Sequence, residues 1–184
     1  RSMPRMGELV SRYSISTPLT LILPAPLLQC ISMSTLFLIC GLPGAGKTTL
    51  AKQLEASEPA LRLCPDEWIQ PILSEPNNRQ EMDRLRGHIE AIQWELAKRS
   101  LSLGVHVILE FGFWSKQERA NFRKEAEAIG ANVRLIYLDV EPHELWKRLE
   151  KRNANLPKGS FHIEKDELLE WTKLFEAPTP DEFA

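Results

Sequence analysis

From Thr35 onward the chain alternates between two hydrophobic rhythms. Short, mainly apolar runs stand at 35–40, 61–64, 105–110 and 133–138, the first of them continuous. Runs of that length, bounded by Gly or Pro, mark strands buried on both faces. Between them lie longer stretches in which apolar residues return every three or four positions, as on a helix that buries one face. The clearest covers 79–103, where Met82, Leu85, Ile89, Ile92 and Leu96 form one stripe. Further helices are predicted over 47–56 and 67–73, from the Ser115/Glu118 capping pair to Gly130, from Pro142 to about 153, and over 164–175. From Ala177 the tail, carrying Pro178 and Pro180, reads as irregular. Strands and helices in alternation specify a three-layer α/β fold around a parallel sheet.

The first 33 residues break this rhythm. Arg1, Arg5 and Arg12 precede a short apolar stretch at 19–23, which Pro18, Pro24 and Pro26 interrupt. A secretory leader shares the basic start and apolar middle, but prolines disrupt the apolar helix such a leader needs. The expectation is an N-terminal extension over 1–33, of cloning or upstream origin and able to pack as an extra strand or arm. One domain then spans 34–184, with Met33 as an alternative start. No run approaches the roughly 20 apolar residues of a membrane span.

Composition narrows the function classes. A length of 184 residues with 43% apolar and 26% charged side chains suits one globular domain with its own core. A formal net charge of −2 provides no bulk attraction to nucleic acid or to an acidic membrane surface. The cysteines, Cys30, Cys40 and Cys64, lack metal-ligand spacing and are too few for a disulfide framework, which suits a reducing cytoplasm.

The chemistry concentrates at strand ends. After the first strand comes Gly41-Leu42-Pro43-Gly44-Ala45-Gly46-Lys47-Thr48, followed by Thr49. A Gly-x-x-x-x-Gly-Lys-Thr stretch between a buried strand and a helix is a phosphate-binding loop. Its glycines let successive N–H groups converge on phosphate oxygens, and the helix adds its positive end. Lys47 is expected to reach the β- and γ-phosphates of ATP, and Thr48 to ligate Mg²⁺. The expected fold class is a P-loop NTPase fold with a helical lid and a parallel sheet of the four strands read above, or of five where a terminal segment joins. No Asn-Lys-x-Asp stretch reads guanine, which favours ATP over GTP.

Three further features point to phosphoryl transfer. Asp66 follows the second strand, where a carboxylate can orient an acceptor hydroxyl and take its proton; the alternative is a helix cap. Arg148 and Arg152 stand four apart on one helix that runs into the 153–160 loop, as a lid closing on a triphosphate would require. A solvated basic face, with Lys147 and Lys151, is the other reading. Glu110 ends the third strand as a candidate to contact Mg²⁺ through water. Phe111, Phe113 and Trp114 follow it as either a pocket wall or core. Arg119 and Arg123 could meet an anion, though solvation is the commoner fate of such residues; no histidine receives a role.

These residues together resemble the small P-loop kinases with an AAA-type ATP-binding domain, akin to chloramphenicol phosphotransferase, polynucleotide 5′-kinase and zeta-toxin kinases. The resemblance rests on 41–49, 64–66, 109–114, 146–153 and the closing stretch 175–182. It implies ATP and Mg²⁺ as reactants, Asp66 as general base and Arg148 with Arg152 in the lid. The sequence departs from the pattern at Glu110, where Asp is expected, and in lacking an arginine soon after Asp66. A fifth strand is not evident after the lid. The second departure weakens the polynucleotide and toxin readings. The expected function is transfer of the γ-phosphoryl group of ATP to a hydroxyl of a small molecule. The alternatives are a 5′-hydroxyl polynucleotide kinase, or a nucleotide-dependent ATPase or switch that binds a protein partner.

Overall fold

A computed structural model describes residues 33–75, 78–157 and 160–183. The expected N-terminal extension lies outside the described residues, apart from Met33. Four strands form one parallel sheet: β1 (Thr35–Cys40), β2 (Ala60–Leu63), β3 (His106–Gly112) and β4 (Asn132–Tyr137), in the order β2-β3-β1-β4. Six helices connect and flank them: α1 (Lys47–Ser57), α2 (Pro65–Ile69), α3 (Arg79–Ser102), α4 (Lys116–Ala128), α5 (Pro142–Ala154) and α6 (Lys165–Leu174).

The central strand explains the three layers. Side chains alternate across a strand, so Leu36, Leu38 and Cys40 pack with Trp94, Ala97 and Leu101 of α3. Phe37 and Ile39 face the other way, onto Ala51 of α1. Both sets are almost wholly buried, which is why β1 reads as an unbroken apolar run. A third cluster ties the phosphate loop to the lid elements: Leu42 and Ala45 pack against Leu145 and Leu149 of α5 and Ile163 beyond it.

The sheet has four strands among the described residues, the lower of the two expected numbers. The tail does not supply a fifth. It forms a short 3-10 turn at Pro180–Phe183 whose polar groups bond to side chains rather than to a strand edge. Several boundaries also shift by one to four residues. α2 begins at Pro65 with Cys64 as its N-cap, two residues earlier than expected, and gives way to a 3-10 turn at Gln70–Ile72. Asp66 thus sits inside the first helical turn and is not the cap. β3 continues to Gly112, because Phe111 and Gly112 stay in the sheet. The Ser115 cap is as expected, its hydroxyl accepting the Glu118 N–H at 3.1 Å.

Candidate nucleotide site and acceptor cleft

The phosphate loop joins the C-terminal end of β1 to α1, where ligands meet open parallel sheets. Gly46, at φ +100°, serves as the left-handed N-cap of α1. Gly44, at φ +85°, is required twice over: a Cβ there would lie 3.0 Å from Leu149 Cγ and 3.1 Å from the Leu145 carbonyl. The side chains of Leu42 and Ala45 are buried in the α5 cluster, so those two residues can offer a phosphate only their backbone.

Lys47 folds over its own loop, donating to the Gly41 carbonyl at 2.9 Å and the Leu42 carbonyl at 3.1 Å. Burial draws its ammonium down to about 8, against the pull of Glu110 and Asp66, which favour the charge. A phosphate would supply the missing counter-charge. Beside it the Thr48 hydroxyl donates to Glu110, so the strand-β3 acid and the loop hydroxyl meet although 62 positions apart. A hydroxyl and a carboxylate are the hard oxygen donors that suit Mg²⁺, so Thr48 and Glu110 fit the ion that nucleotide chemistry needs.

Glu110 is almost wholly buried, and its second oxygen accepts from Arg62 at 3.0 Å. Arg62 also donates to Glu55 at 3.2 Å and to Glu67 at 2.6 and 2.8 Å. No role had been expected of Arg62. The available signal was a lone arginine inside a short apolar strand, which must find an acid if its head is buried.

Across the cleft, Asp66 is ion-paired with Arg86, which is 20 positions away on α3 and also reaches Glu90 at 3.4 Å. The sequence shows no arginine soon after Asp66, yet the fold delivers one from the next long helix. Burial raises the Glu90 carboxyl to about 7 despite Arg86. Arg148 and Arg152 both line the same cleft. Arg148 is half-exposed and bridges to Glu144 at 2.9 Å. Arg152 donates to the Phe161 carbonyl at 3.1 Å, while its buried Nε has no partner among the described residues. A buried guanidinium N–H without a partner is uncommon and costly, so Arg152 is not fully satisfied in this arrangement. Residues 158 and 159 of the expected lid loop lie outside the described residues.

Lys47, Asp66, Arg86, Glu110, Arg148 and Arg152 therefore converge on one cleft of about 810 Å³. The three aromatics divide. Phe113 is fully buried, stacked on Phe111 at 5.7 Å and edge-on to Phe122 at 5.2 Å, so it is chiefly a core residue. Trp114 is only partly buried and faces the cleft beside Trp171, 5.7 Å away. Arg119, expected to be solvated or to meet an anionic substrate group, is instead 2% exposed and bound to the Glu182 carboxylate of the tail. Among the described residues no helix is long and apolar enough to cross a membrane.

Comparison with known proteins agrees with this geometry. The profile of the family described as "AAA domain" matches residues 36–178. The chain is 30% identical over 124 residues to a protein of Aeropyrum pernix named "Probable adenylyl-sulfate kinase", covering 65% of this chain and 67% of that one. Among solved structures it resembles Chaetomium thermophilum Kti12 in complex with ADP-AlF3, at 21% identity and a TM-score of 0.58, covering 79% and 82% of the two chains. It also resembles a gluconokinase from Sinorhizobium meliloti, at 16% identity and a TM-score of 0.54, covering 81% and 79%. The chain belongs to the AAA domain family of P-loop proteins and is a small, kinase-like member of it.

Proposed function

We propose that this protein transfers the γ-phosphoryl group of ATP to a hydroxyl of a small molecule bound between Asp66 and Trp114. The observation that carries the reading is the position of Asp66, across one cleft from Lys47 and Thr48, with Arg86 holding its carboxylate. The loop amides and Lys47 bind the triphosphate, and the Arg148 and Arg152 side chains that line the cleft meet the charge that develops on the transferring group. Asp66 accepts the proton of the acceptor hydroxyl as its oxygen bonds to the γ-phosphorus. The bond from phosphorus to the β–γ bridging oxygen breaks, leaving ADP. Mg²⁺, held through Thr48 and Glu110, would neutralise charge on the phosphates.

The acceptor side argues for a small molecule over a nucleic acid strand. Its arginines are already occupied: Arg86 by Asp66 and Glu90, and Arg79 by Asp83 at 3.3 Å and Glu167 at 3.6 Å. A polynucleotide needs free cations along a groove. Trp114 offers instead an apolar face for one compact ligand.

Asp66→Asn tests the assignment because it separates binding from transfer. Transfer to an identified acceptor should fall at least about 10²-fold, the usual contribution of a general base, with ATP affinity nearly unchanged. Full transfer by Asp66→Asn would refute the role.

A further inference from the structure

We infer that the C-terminal segment 175–183 is a strap that positions the acceptor-side wall, and that Arg119 and Glu182 are its positioning residues. The inference rests on the acceptor reading of the cleft given above. It starts from backbone that is strained where the wall begins. Phe113 has φ +50°, a left-handed conformation that a bulky residue seldom adopts because its Cβ crowds the backbone. Gly112 before it, at φ +96°, leaves room for the Trp114 indole: a Cβ there would lie 3.0 Å from the indole Nε1. Such a turn persists only if its surroundings hold it.

The strap provides the hold. The Glu176 N–H donates to the Trp114 carbonyl at 2.9 Å, and the Glu176 carboxylate accepts the Lys116 N–H at 2.7 Å, so one residue grips the turn on both sides of Ser115. Arg119 gathers the pieces. Its Nη1 donates to the Phe113 carbonyl at 3.0 Å and to the Glu176 carbonyl at 2.9 Å. Its Nε and Nη2 take both oxygens of Glu182, at 2.6 and 3.0 Å. Bidentate geometry of this kind fixes orientation as well as distance. Lys116 reaches Thr179 and Asp181, each at 3.0 Å, and Arg123 donates to the Glu182 carbonyl at 2.6 Å. The strap leaves directly from α6, whose Trp171 packs on Trp114. The wall facing Asp66 is therefore set by the last residues of the described chain, while the phosphate loop is set by β1, α1 and α5.

That division predicts a split. In Glu182→Gln, hydrogen exchange at the Lys116 and Glu176 amides should accelerate by about tenfold or more, whereas Ala45 and Leu50, bonded within the phosphate loop and α1, should stay within about twofold. Arg119→Lys, which keeps the charge and loses the fork, should act in the same direction. In transfer assays the KM for the acceptor should rise about tenfold while the KM for ATP holds. Exchange that speeds equally at all four amides would mean a general loss of stability and would overturn the inference, as would unchanged protection at Lys116 and Glu176. The exchange experiment needs no acceptor: if it succeeds and no hydroxyl compound is ever phosphorylated, the function falls and the strap stands.

Discussion

At the residue scale, the site is a set of charges that are incomplete without a nucleotide. Lys47 is the plainest case, because burial lowers its affinity for a proton further than Glu110 and Asp66 restore it, and a phosphate would add to their effect. With the free ammonium titrating near 8, the residue is protonated below that pH whether or not ATP is bound. Above it, the free protein loses a proton that binding must recover, so affinity falls as pH rises. ATP dissociation constants measured from pH 7 to about 9.5 should be flat and then climb by up to tenfold per unit; Lys47→Ala should remove the slope. Arg62 carries a second prediction. Arg62→Leu strands the buried Glu110 carboxylate and should cost about 2–4 kcal/mol in urea unfolding. Adding Glu110→Gln should recover part of that loss, and strict additivity of the two changes would deny the coupling. The phosphate-loop residues were legible because their spacing is itself the chemistry. Arg62, Arg86 and Glu90 were not, since the partners that give them meaning stand up to 48 positions away in sequence.

At the element scale, the alternation of buried runs and amphipathic stretches was enough to place every strand and helix of the sheet layers. The errors lie at ends. The alternative reading of Asp66 as a cap fails because Pro65 already starts α2, and β3 outran its apolar run because Gly112 still pairs with Cys40. How elements contact one another was the hidden part: nothing local says that α5 buttresses the phosphate loop. The close approach of Gly44 to Leu145 and Leu149 makes that contact testable. Gly44→Ala must both adopt φ +85° and push α5 away, and should destabilise the protein by about 1–3 kcal/mol. A neutral result in thermal or urea unfolding would mean that the loop does not rest on α5.

At the scale of the whole molecule, an ATP cleft built on the sheet meets a wall held by segment 175–183, which the buried Arg119–Glu182 ion pair and the exposed Lys116–Asp181 pair tie down. Hydrogen bonds from Arg119 hold the Glu182 carboxyl at about 2, below its ordinary 4.5. A depressed carboxylate stabilises the fold above its unfolded value and loses that contribution as pH falls through the folded one. Acid unfolding should therefore show a loss between about pH 4.5 and 2 that Glu182→Gln lacks. The tail looked irregular in sequence because its order comes from α4 and not from its own pattern. The central claim is that the cleft transfers phosphate to a hydroxyl. The direct measurement follows label from γ-labelled ATP with Mg²⁺ across nucleosides, sugars, hydroxylated antibiotics and 5′-hydroxyl oligonucleotides, with Lys47→Ala and Asp66→Asn alongside. Labelled small-molecule product that both substitutions abolish is the expected result. Label appearing only as free phosphate, at a rate indifferent to Asp66→Asn, would contradict it and leave an ATPase or a nucleotide switch.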